Sequence, residues 1–211
     1  LQVHPDDPWR ATVTSAPVGS YRIRAQVSDG STTVTHDQRL MVLPATGPLP
    51  TVVAINAGGA AYTAKDGTQY LADQYFVGGD AGTDQVKEPI YGTRDDALYQ
   101  DYRLSYWGHQ YEIPVPNGKY YVILHFAETY NPVETDTGRL MQVTVNNPVL
   151  PNETQRLDHF SAYRVVGQRY AVRYGIFADV TDGKIHLDFR RQPGKEAERA
   201  RIDAIQVLRR M

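Results

Sequence analysis

The sequence predicts an all-β protein whose larger part is a two-layer β-sandwich of the jelly-roll type. The hydrophobic pattern shows many short alternating or apolar segments, which are separated by Gly, Pro, Asn and Asp. The composition agrees, because 15 tyrosines against 5 phenylalanines and 2 tryptophans favour half-buried strand faces. No segment has helical periodicity, and only a short helical turn over residues 95–100 is expected. Short strands at regular spacing are typical of sandwiches and jelly rolls.

Residues 1–44 are predicted to form a separate β segment. The stretch "GSYRIRAQVSDGSTTVTHDQRLMVL" contains two strands of period 2 around Asp29 and Gly30, which is a hairpin signal. Its "G-x-Y" opening resembles the last strands of an immunoglobulin-like or polycystic-kidney-disease-type domain. Two strands do not make a stable sheet alone. We therefore expect a partial Ig-like segment that belongs to a larger protein, followed by a Pro-rich linker at residues 45–50.

Residues 51–211 are predicted to form one all-β domain. "TVVAINAGG" is an apolar strand that ends in a glycine pair, and residues 116–118 (Pro-Asn-Gly) mark a turn between two strands. The nearly continuous apolar run 120–126 predicts a central strand that is buried on both faces. "YAVRYGIFADVTDGKIHLDFRR" is interpreted as a hairpin turned at residues 182–183, and "RIDAIQVLRR" as the last strand.

Composition excludes several classes of function. A net charge of -2 argues against a nucleic-acid-binding protein, which normally carries a basic excess. No run approaches the roughly 18 apolar residues of a membrane span. The chain has no cysteine, which excludes disulfides, thiol catalysis and zinc-thiolate sites and leaves the cellular compartment open. Glycine-rich nucleotide-binding motifs are also missing from the sequence.

Acidic residues offer two alternatives to a simple binding domain. Asp95 and Asp96 have the residue types of a glycosidase acid/base pair, but they are better explained as an N-cap and first-turn acid of a short helical turn. Glu128 is interpreted as a structural carboxylate at a strand end, and His125 as a packed core histidine. The mixed-charge stretch "RRQPGKEAERAR" is interpreted as a solvated loop.

No cofactor is expected, although a structural calcium ion stays open. Its candidate ligands are carboxylates around Gly-rich loops, namely Asp73, Asp80, Asp84 and Glu88. Their spacing matches no EF-hand, and the six histidines match no zinc pattern.

Aromatic residues supply the candidate binding surface. In "YQDYRLSYWGHQY" we expect Tyr99 and Tyr111 to fill the core, while Trp107, which precedes Gly108 in a loop, is expected to be exposed and to bind a ligand. Tyr102 and Tyr106 are candidates of the same segment.

The order of motifs in the second part resembles the malectin family. The motifs are "INAGG", "DGTQYLAD", "LYQ", "YEIPVPNGKYYVILHFAETY", "DGKIHLDF" and "IDAIQV", and they cover about residues 53–208. Malectin and malectin-like domains are carbohydrate-binding β-sandwiches of the endoplasmic reticulum, of plant receptor ectodomains and of bacterial exported enzymes. The resemblance implies a sugar site on loops at one end of the sandwich.

The resemblance also implies which residues contact the sugar. The aromatic residue after "FAE" is Tyr130, and it also stands on a loop that leaves the sheet. The next family aromatic is replaced by Asn131, and the acidic position before the last strand falls on or near Glu198, beside Glu196. For the first family aromatic, Tyr91 is the nearest residue.

The family aromatic after "LYQ" is replaced by Leu104, which cannot stack on a sugar. Tyr102, Tyr106 and Trp107 lie within three residues and offer replacement rings.

From these residues we expect a non-catalytic carbohydrate-binding module that recognises a glucan or a related oligosaccharide. It is expected to belong to a larger bacterial protein that is secreted, periplasmic or on the cell surface, and to contact other domains of that protein. One alternative is a structural or docking domain that keeps the fold without sugar binding. A third is a glycosidase that uses Asp95 or Glu128.

Overall fold

A computed structural model describes residues 2–4, 7–12, 17, 19–42, 49–84, 87–130, 139–145, 156–192 and 199–210. The chain divides into two compact units, Leu1–Gly47 and Pro48–Met211. In the described residues, no helix is long and apolar enough to cross a membrane.

The described residues of the first unit form two antiparallel strand pairs. Strands β1 (Gln2–His4) and β2 (Asp7–Thr12) form one pair, and β3 (Gly19–Ser28) and β4 (Thr33–Val42) form a hairpin of two ten-residue strands. The hairpin turns as the sequence predicts, because the Asp29 carboxylate accepts hydrogen bonds from the amides of Ser31 (2.9 Å) and Thr32 (2.7 Å).

The second unit is built around two antiparallel sheets. In chain order, the strands of these sheets are β5 (Thr51–Asn56), β8 (Phe76–Val77), β11 (His109–Pro114), β12 (Gly118–Phe126), β13 (Met141–Val145), β14 (Arg156–Phe160), β15 (Val172–Val180), β16 (Lys184–Arg191) and β18 (Ala204–Arg209). One sheet has the order β14-β13-β16-β11-β8 and the other has the order β15-β12-β18-β5. The core side chains come from both sheets, so the sheets face each other as a sandwich.

Two smaller sheets and two short helices make up the other regular elements among the described residues of this unit. Strands β6 (Tyr62–Thr63) and β7 (Gln69–Tyr70) pair with each other. Strands β9 (Asp80–Thr83), β10 (Asp101–Ser105) and β17 (Ala200–Ile202) form a three-stranded sheet with β10 in the middle. The helices are a 3-10 helix at Asp96–Tyr99 and α1 at Ala162–Val166.

The central strand predicted at 120–126 is confirmed as β12, which lies between β15 and β18. Tyr120, Val122 and Leu124 point into the core between the two main sheets. Tyr121 and His125 are buried on the opposite face of the strand. That outer face is covered by a second apolar cluster from residues 54–70 and 90–99.

The hairpin predicted at residues 182–183 is wrong. The turn is present, but β15 before it belongs to the four-stranded sheet and β16 after it belongs to the five-stranded sheet. The turn at 116–118 likewise joins β11 and β12 across the sandwich. Asn117 fastens the two turns together, because its side chain accepts from the Gly183 amide (2.8 Å) and donates to the Thr181 carbonyl (3.1 Å).

The short helices differ from the expectation in two ways. The turn expected near residue 95 exists, but the Asp95 carboxylate makes no capping hydrogen bond. It accepts instead from the Tyr62 hydroxyl (2.9 Å) and the Lys65 amide (2.8 Å). Helix α1 was not expected, although Ser161 as its N-cap and Gly167 as its C-cap are ordinary signals.

Candidate functional site

The candidate site lies at the end of the sandwich where β12 and β16 finish and β11, β13 and β18 begin. The chain crosses this end from β16 through β17 into β18, and the β17-β10-β9 sheet closes it. The predicted ring-bearing residues reach the same end by three routes. Tyr102 comes from β10, Tyr106 and Trp107 from the turn between β10 and β11, and Tyr130 from the loop after β12.

Three of these rings are open to solvent. Trp107 is 83% exposed, Tyr130 58% and Tyr106 41%, whereas Tyr102 is half-buried. The expected exposure of Trp107 is therefore confirmed. Exposed large aromatic side chains at one end of a domain are unusual for a surface without a partner.

An arginine lies against each ring of the β10 segment. The guanidinium carbon of Arg201 lies 3.9 Å from the ring centroid of Tyr102, that of Arg199 lies 3.9 Å from Tyr106, and that of Arg191 lies 5.1 Å from Trp107. These are cation–π distances. Arg199 also donates to the Tyr106 hydroxyl at 2.8 Å, so the rings are held in place from one side.

Glu128 connects the Tyr130 loop to the arginines. Its buried carboxylate accepts from the amide of Tyr130 (3.0 Å) and forms an ion pair with Arg139. Arg139 in turn donates to the carbonyl of Arg199 (3.1 Å). A continuous series of contacts thus links Tyr130 to Tyr106, and the expected structural role of Glu128 is confirmed.

A buried network around Arg201 fixes the base of the same loop. Arg201 donates to Asp203 (2.6 and 3.1 Å), to the Thr129 hydroxyl (2.7 Å) and to the carbonyl of Tyr99 (3.2 Å). Asp203 also accepts from the amide of Ala127 (2.9 Å). Burial raises the pKa of the Asp203 carboxyl, and the Arg201 charge beside it opposes that rise.

Tyr91 lies next to this loop and pairs with a second tyrosine. Its ring centroid is 5.1 Å from that of Tyr170, and both rings are exposed. The amide of Tyr91 donates to the carbonyl of Arg169 (2.7 Å), whose own amide donates to the carbonyl of Glu128 (2.8 Å). Tyr170 is a neighbour that the sequence alone did not suggest.

Some predicted positions do not reach the surface or lie elsewhere. Leu104 is buried in β10, so it presents no side chain to a ligand. Asn131, Glu196 and Glu198 lie outside the described residues. Tyr99 and Tyr111 are buried, as expected.

The carboxylates considered for catalysis are engaged by the protein itself. Asp95 holds the Lys65 amide and the Tyr62 hydroxyl, and Asp96 accepts from the amide of Ile90 at 3.2 Å. Glu128 is 1% exposed and ion-paired, so it does not reach a surface-bound sugar.

Metal ligands are not grouped in the part of the chain that the structure describes. No three His, Cys, Asp or Glu side chains there are placed to hold a metal ion. Asp73 bonds Arg103 (2.6 and 2.8 Å) and the Tyr111 hydroxyl (2.7 Å), and Asp84 accepts from Thr129 (2.8 Å).

The solvated loop expected at residues 190–201 is wrong at both ends, because residues 190–191 belong to β16 and residues 200–201 to β17, while residues 193–198 lie outside the described residues. Arg201 is 2% exposed and forms the buried network, and Arg199 lies on Tyr106. The sequence signal for the burial of Arg201 is the segment "ARIDAI", in which Ile202 separates Arg201 from Asp203. Alternate residues of an extended segment point to the same face, so these two charged side chains are neighbours.

Comparison with known proteins identifies the family. The family model described as Malectin domain matches residues 51–204. The chain belongs to the malectin family. No curated protein matches the chain significantly.

Solved structures support the malectin fold at low sequence identity. The chain is similar to the Bacteroides uniformis β-glucuronidase, with 19% identity, 91% of this chain and 22% of that chain covered, and a TM-score of 0.59. It is similar to the ANXUR1 extracellular domain of Arabidopsis thaliana, with 14% identity, coverage of 75% and 48%, and a TM-score of 0.61. For the plant receptor-like kinase FER the identity is 18%, the coverage 75% and 42%, and the TM-score 0.60. The chain therefore spans about a fifth to a half of each of these proteins.

Proposed function

We propose that the second unit is a non-catalytic carbohydrate-binding module that holds a glucan or a related oligosaccharide against the end of the sandwich. The observation that carries this proposal is the exposure of Trp107 and Tyr130 at one end of the malectin fold, on loops anchored by buried ion pairs. Flat rings that are already oriented bind a ligand with little loss of conformational entropy.

The chemistry of this end matches the two faces of a sugar. The C–H face of a pyranose packs on an aromatic ring, and such ring contacts contribute about 1 kcal/mol beyond area burial. The hydroxyl groups need planar donors and acceptors nearby. Arg191 and Arg199 supply guanidinium donors beside Trp107 and Tyr106.

We assign roles accordingly. Tyr130 and Trp107 stack on the sugar, while Tyr106 and Tyr102 close the sides of the site. The carboxylate of Glu198 and the amide of Asn131 bond hydroxyls, as the family resemblance implies. Tyr91, which is paired with Tyr170, extends the surface for a longer oligosaccharide.

The proposal includes no hydrolysis. Glycoside hydrolysis requires two free carboxylates on either side of the scissile bond. Asp95, Asp96 and Glu128 are each occupied by hydrogen bonds within the protein. We expect no turnover of aryl glycosides.

We further propose that the chain is part of a larger bacterial protein that is secreted, periplasmic or on the cell surface. The β-glucuronidase similarity covers 22% of that enzyme, and the Arabidopsis structure is an extracellular domain. In this proposal residues 1–44 are the end of an Ig-like domain, 45–50 are a linker and 51–211 are the binding module. The other domains of the parent protein and an oligosaccharide are its partners.

A docking role is the second candidate. FER is known in a complex with the plant peptide RALF23 and LLG2, and Leu104 replaces a sugar-stacking ring of the family in this chain. Exposed rings flanked by arginines also suit a protein interface, where aromatic residues and arginine are enriched.

A glycan array on the intact chain distinguishes the two candidates. Binding to a neutral oligosaccharide supports the carbohydrate-binding module, and an array without signal contradicts it. Affinity electrophoresis then tests the site with Tyr130→Ala and Trp107→Ala, which we expect to abolish retardation without lowering the melting temperature.

Phe177→Ala is the matched control for ring removal. Phe177 packs on Tyr121 (5.0 Å between centroids) on the outer face of the four-stranded sheet, away from the loops of the site. Its removal is expected to leave retardation unchanged. Equal retardation of all three variants would show that the rings of the sandwich end do not bind the polysaccharide.

A further inference from the structure

A cavity lies on the outer face of the four-stranded sheet, and none of the rings of the aromatic end (Tyr102, Tyr106, Trp107 and Tyr130) lines it. Its volume is about 510 Å³, which is within the range of small-molecule sites. The sheet contributes His125, Arg173 and Gln206 to its floor. Loops 64–70 and 92–99 form its walls.

The position of the floor residues follows from strand register. His125 of β12 stands directly opposite Arg173 of β15, so their side chains are neighbours on one face. This face is the outer one, because the alternate residues of β12 fill the core between the sheets. The imidazole of His125 contacts the rings of Tyr70 (6.0 Å between ring centroids) and Tyr99 (5.8 Å).

Three cationic side chains surround the opening. Lys65, Arg94 and Arg173 all line the cavity and are exposed. Within the described part of the chain, none of these side chains forms an ion pair or a hydrogen bond.

The two carboxylates of the cavity wall are already engaged. Asp95 accepts from the Tyr62 hydroxyl and the Lys65 amide, and Asp66 accepts from the Thr68 amide at 2.9 Å. Both carboxylates keep their negative charge, and the Arg173 charge helps to lower the pKa of Asp66, so the three cations leave the cavity lining with a formal charge of +1, which favours an anion.

A buried polar atom on the floor has no partner. His125 is 3% exposed, and its Nδ1 is 2.9 Å from the Tyr99 hydroxyl. Its Nε2 lacks a hydrogen-bond partner among the described residues. Burial and the Arg173 charge lower the pKa of His125 to about 3, so the ring is neutral. If the phenol donates to Nδ1, Nε2 carries the proton and requires an acceptor.

We propose that this cavity binds an acidic sugar, that is, a monosaccharide-sized ring that carries a carboxylate or a phosphate. The anion is held by Arg173 and Arg94, whose planar guanidinium groups bind carboxylate and phosphate oxygens in bidentate fashion. The hydroxyl groups of the ring meet the Gln206 amide and the Nε2 of His125. The cavity lining includes none of Tyr102, Tyr106, Trp107 and Tyr130, so the proposal does not depend on whether a neutral glucan binds to those rings.

Isothermal titration calorimetry on the intact chain tests the proposal with three probes: D-glucuronate, D-glucose 6-phosphate and D-glucose. We expect at least one of the two acids to bind saturably and glucose not to bind at this site. Binding of glucuronate alone identifies a carboxylate site, and binding of the phosphate alone identifies a phosphate site. Absence of saturable binding for both acids would overturn the proposal, and so would glucose binding that is as tight as acid binding and persists in the Trp107→Ala variant.

Charge removal locates the binding. Arg173→Gln and Arg94→Gln are each expected to raise the Kd of the bound acid at least tenfold. Lys119→Gln is the matched control, because Lys119 is exposed on the same face of β12 but lies six residues, roughly 20 Å, from His125. Equal affinity for the Arg173 variant and the Lys119 variant would contradict the assignment.

A second comparison separates the two sites. Trp107→Ala and Tyr130→Ala are expected to leave acid binding unchanged, since neither residue lines the cavity. Loss of acid binding in these variants would place the acid at the aromatic end and refute a separate site.

Discussion

Removing one partner of the buried ion pair between Arg201 and Asp203 should cost far more stability than removing one partner of a geometrically equivalent pair on the surface. Arg201 and Asp203 are two residues apart with a 2.6 Å contact, and their side chains are 3% and 0% exposed. Arg190 and Asp188 are also two residues apart with a 2.6 Å contact, but their side chains are 57% and 30% exposed. The two pairs differ mainly in burial.

Arg201→Met removes the partner of a buried carboxylate. Breaking a buried pair from one side costs about 3–5 kcal/mol, because the remaining charge is uncompensated. Here the hydroxyl of Thr129 and the carbonyl of Tyr99 lose a donor as well. Arg190→Met should cost less than about 1 kcal/mol, since exposed pairs contribute little.

Thermal unfolding followed by circular dichroism measures the difference. For a domain of 150–250 residues, 1 kcal/mol corresponds to about 2–4 °C in Tm. The Arg201 variant should therefore melt roughly 6–20 °C lower than the parent, and the Arg190 variant within about 4 °C of it. Similar melting temperatures for the two variants would show that the buried network around Arg201 does not stabilise this end of the sandwich.

Three further substitutions test other features of the fold. Gly58→Ala should cost about 2–4 kcal/mol, because Gly58 has φ +75° and an added Cβ would lie 2.0 Å from the carbonyl oxygen of Tyr102. Gly67 has φ +88° but open space around it, so Gly67→Ala should lower the free energy of unfolding, measured by urea titration, by only about 1 kcal/mol. Equal losses for the two glycine variants would contradict the close approach of Gly58 to the Tyr102 carbonyl. His109 is buried and stacked on Phe189 at 4.9 Å, and burial lowers its pKa to about 3. Since the unfolded state gains a proton below about pH 6.5 and the folded state does not, stability should fall as the pH decreases. Between pH 6.5 and 4.5, His109→Phe should reduce the loss in the free energy of unfolding by about 2–3 kcal/mol. If the free energy of unfolding of the variant depends on pH as that of the parent does, His109 is protonated in the folded protein.

The sequence was sufficient for features that depend on local pattern. The burial of residues 120–126 follows from their apolar run, and the hairpin at Asp29 follows from a side chain that bonds the next amides. The exposure of Trp107 follows from its place before a glycine of positive φ, Gly108. Each of these features is determined within a few residues of chain.

Features that depend on distant partners could not be derived in this way. The turns at 116–118 and 182–183 have the same composition as hairpin turns, yet both cross between sheets, because strand pairing is decided by residues far away in the sequence. Arg201 would ordinarily be exposed, and only the convergence of Asp203, Thr129 and Tyr99 makes its burial favourable. The Tyr91–Tyr170 pair likewise joins two segments that share no sequence signal.

The most direct test of the carbohydrate-binding proposal uses the fluorescence of Trp107. The chain has two tryptophans, and Trp9→Phe leaves Trp107 as the only one. Because Trp107 is 83% exposed, its emission should be that of a solvated indole before ligand is added. Titration with a neutral oligosaccharide selected on the glycan array should shift this emission to shorter wavelength, and the shift should saturate at the Kd measured by calorimetry. Saturable binding by calorimetry with no change in Trp107 emission would show that the sugar does not stack at the end of the sandwich.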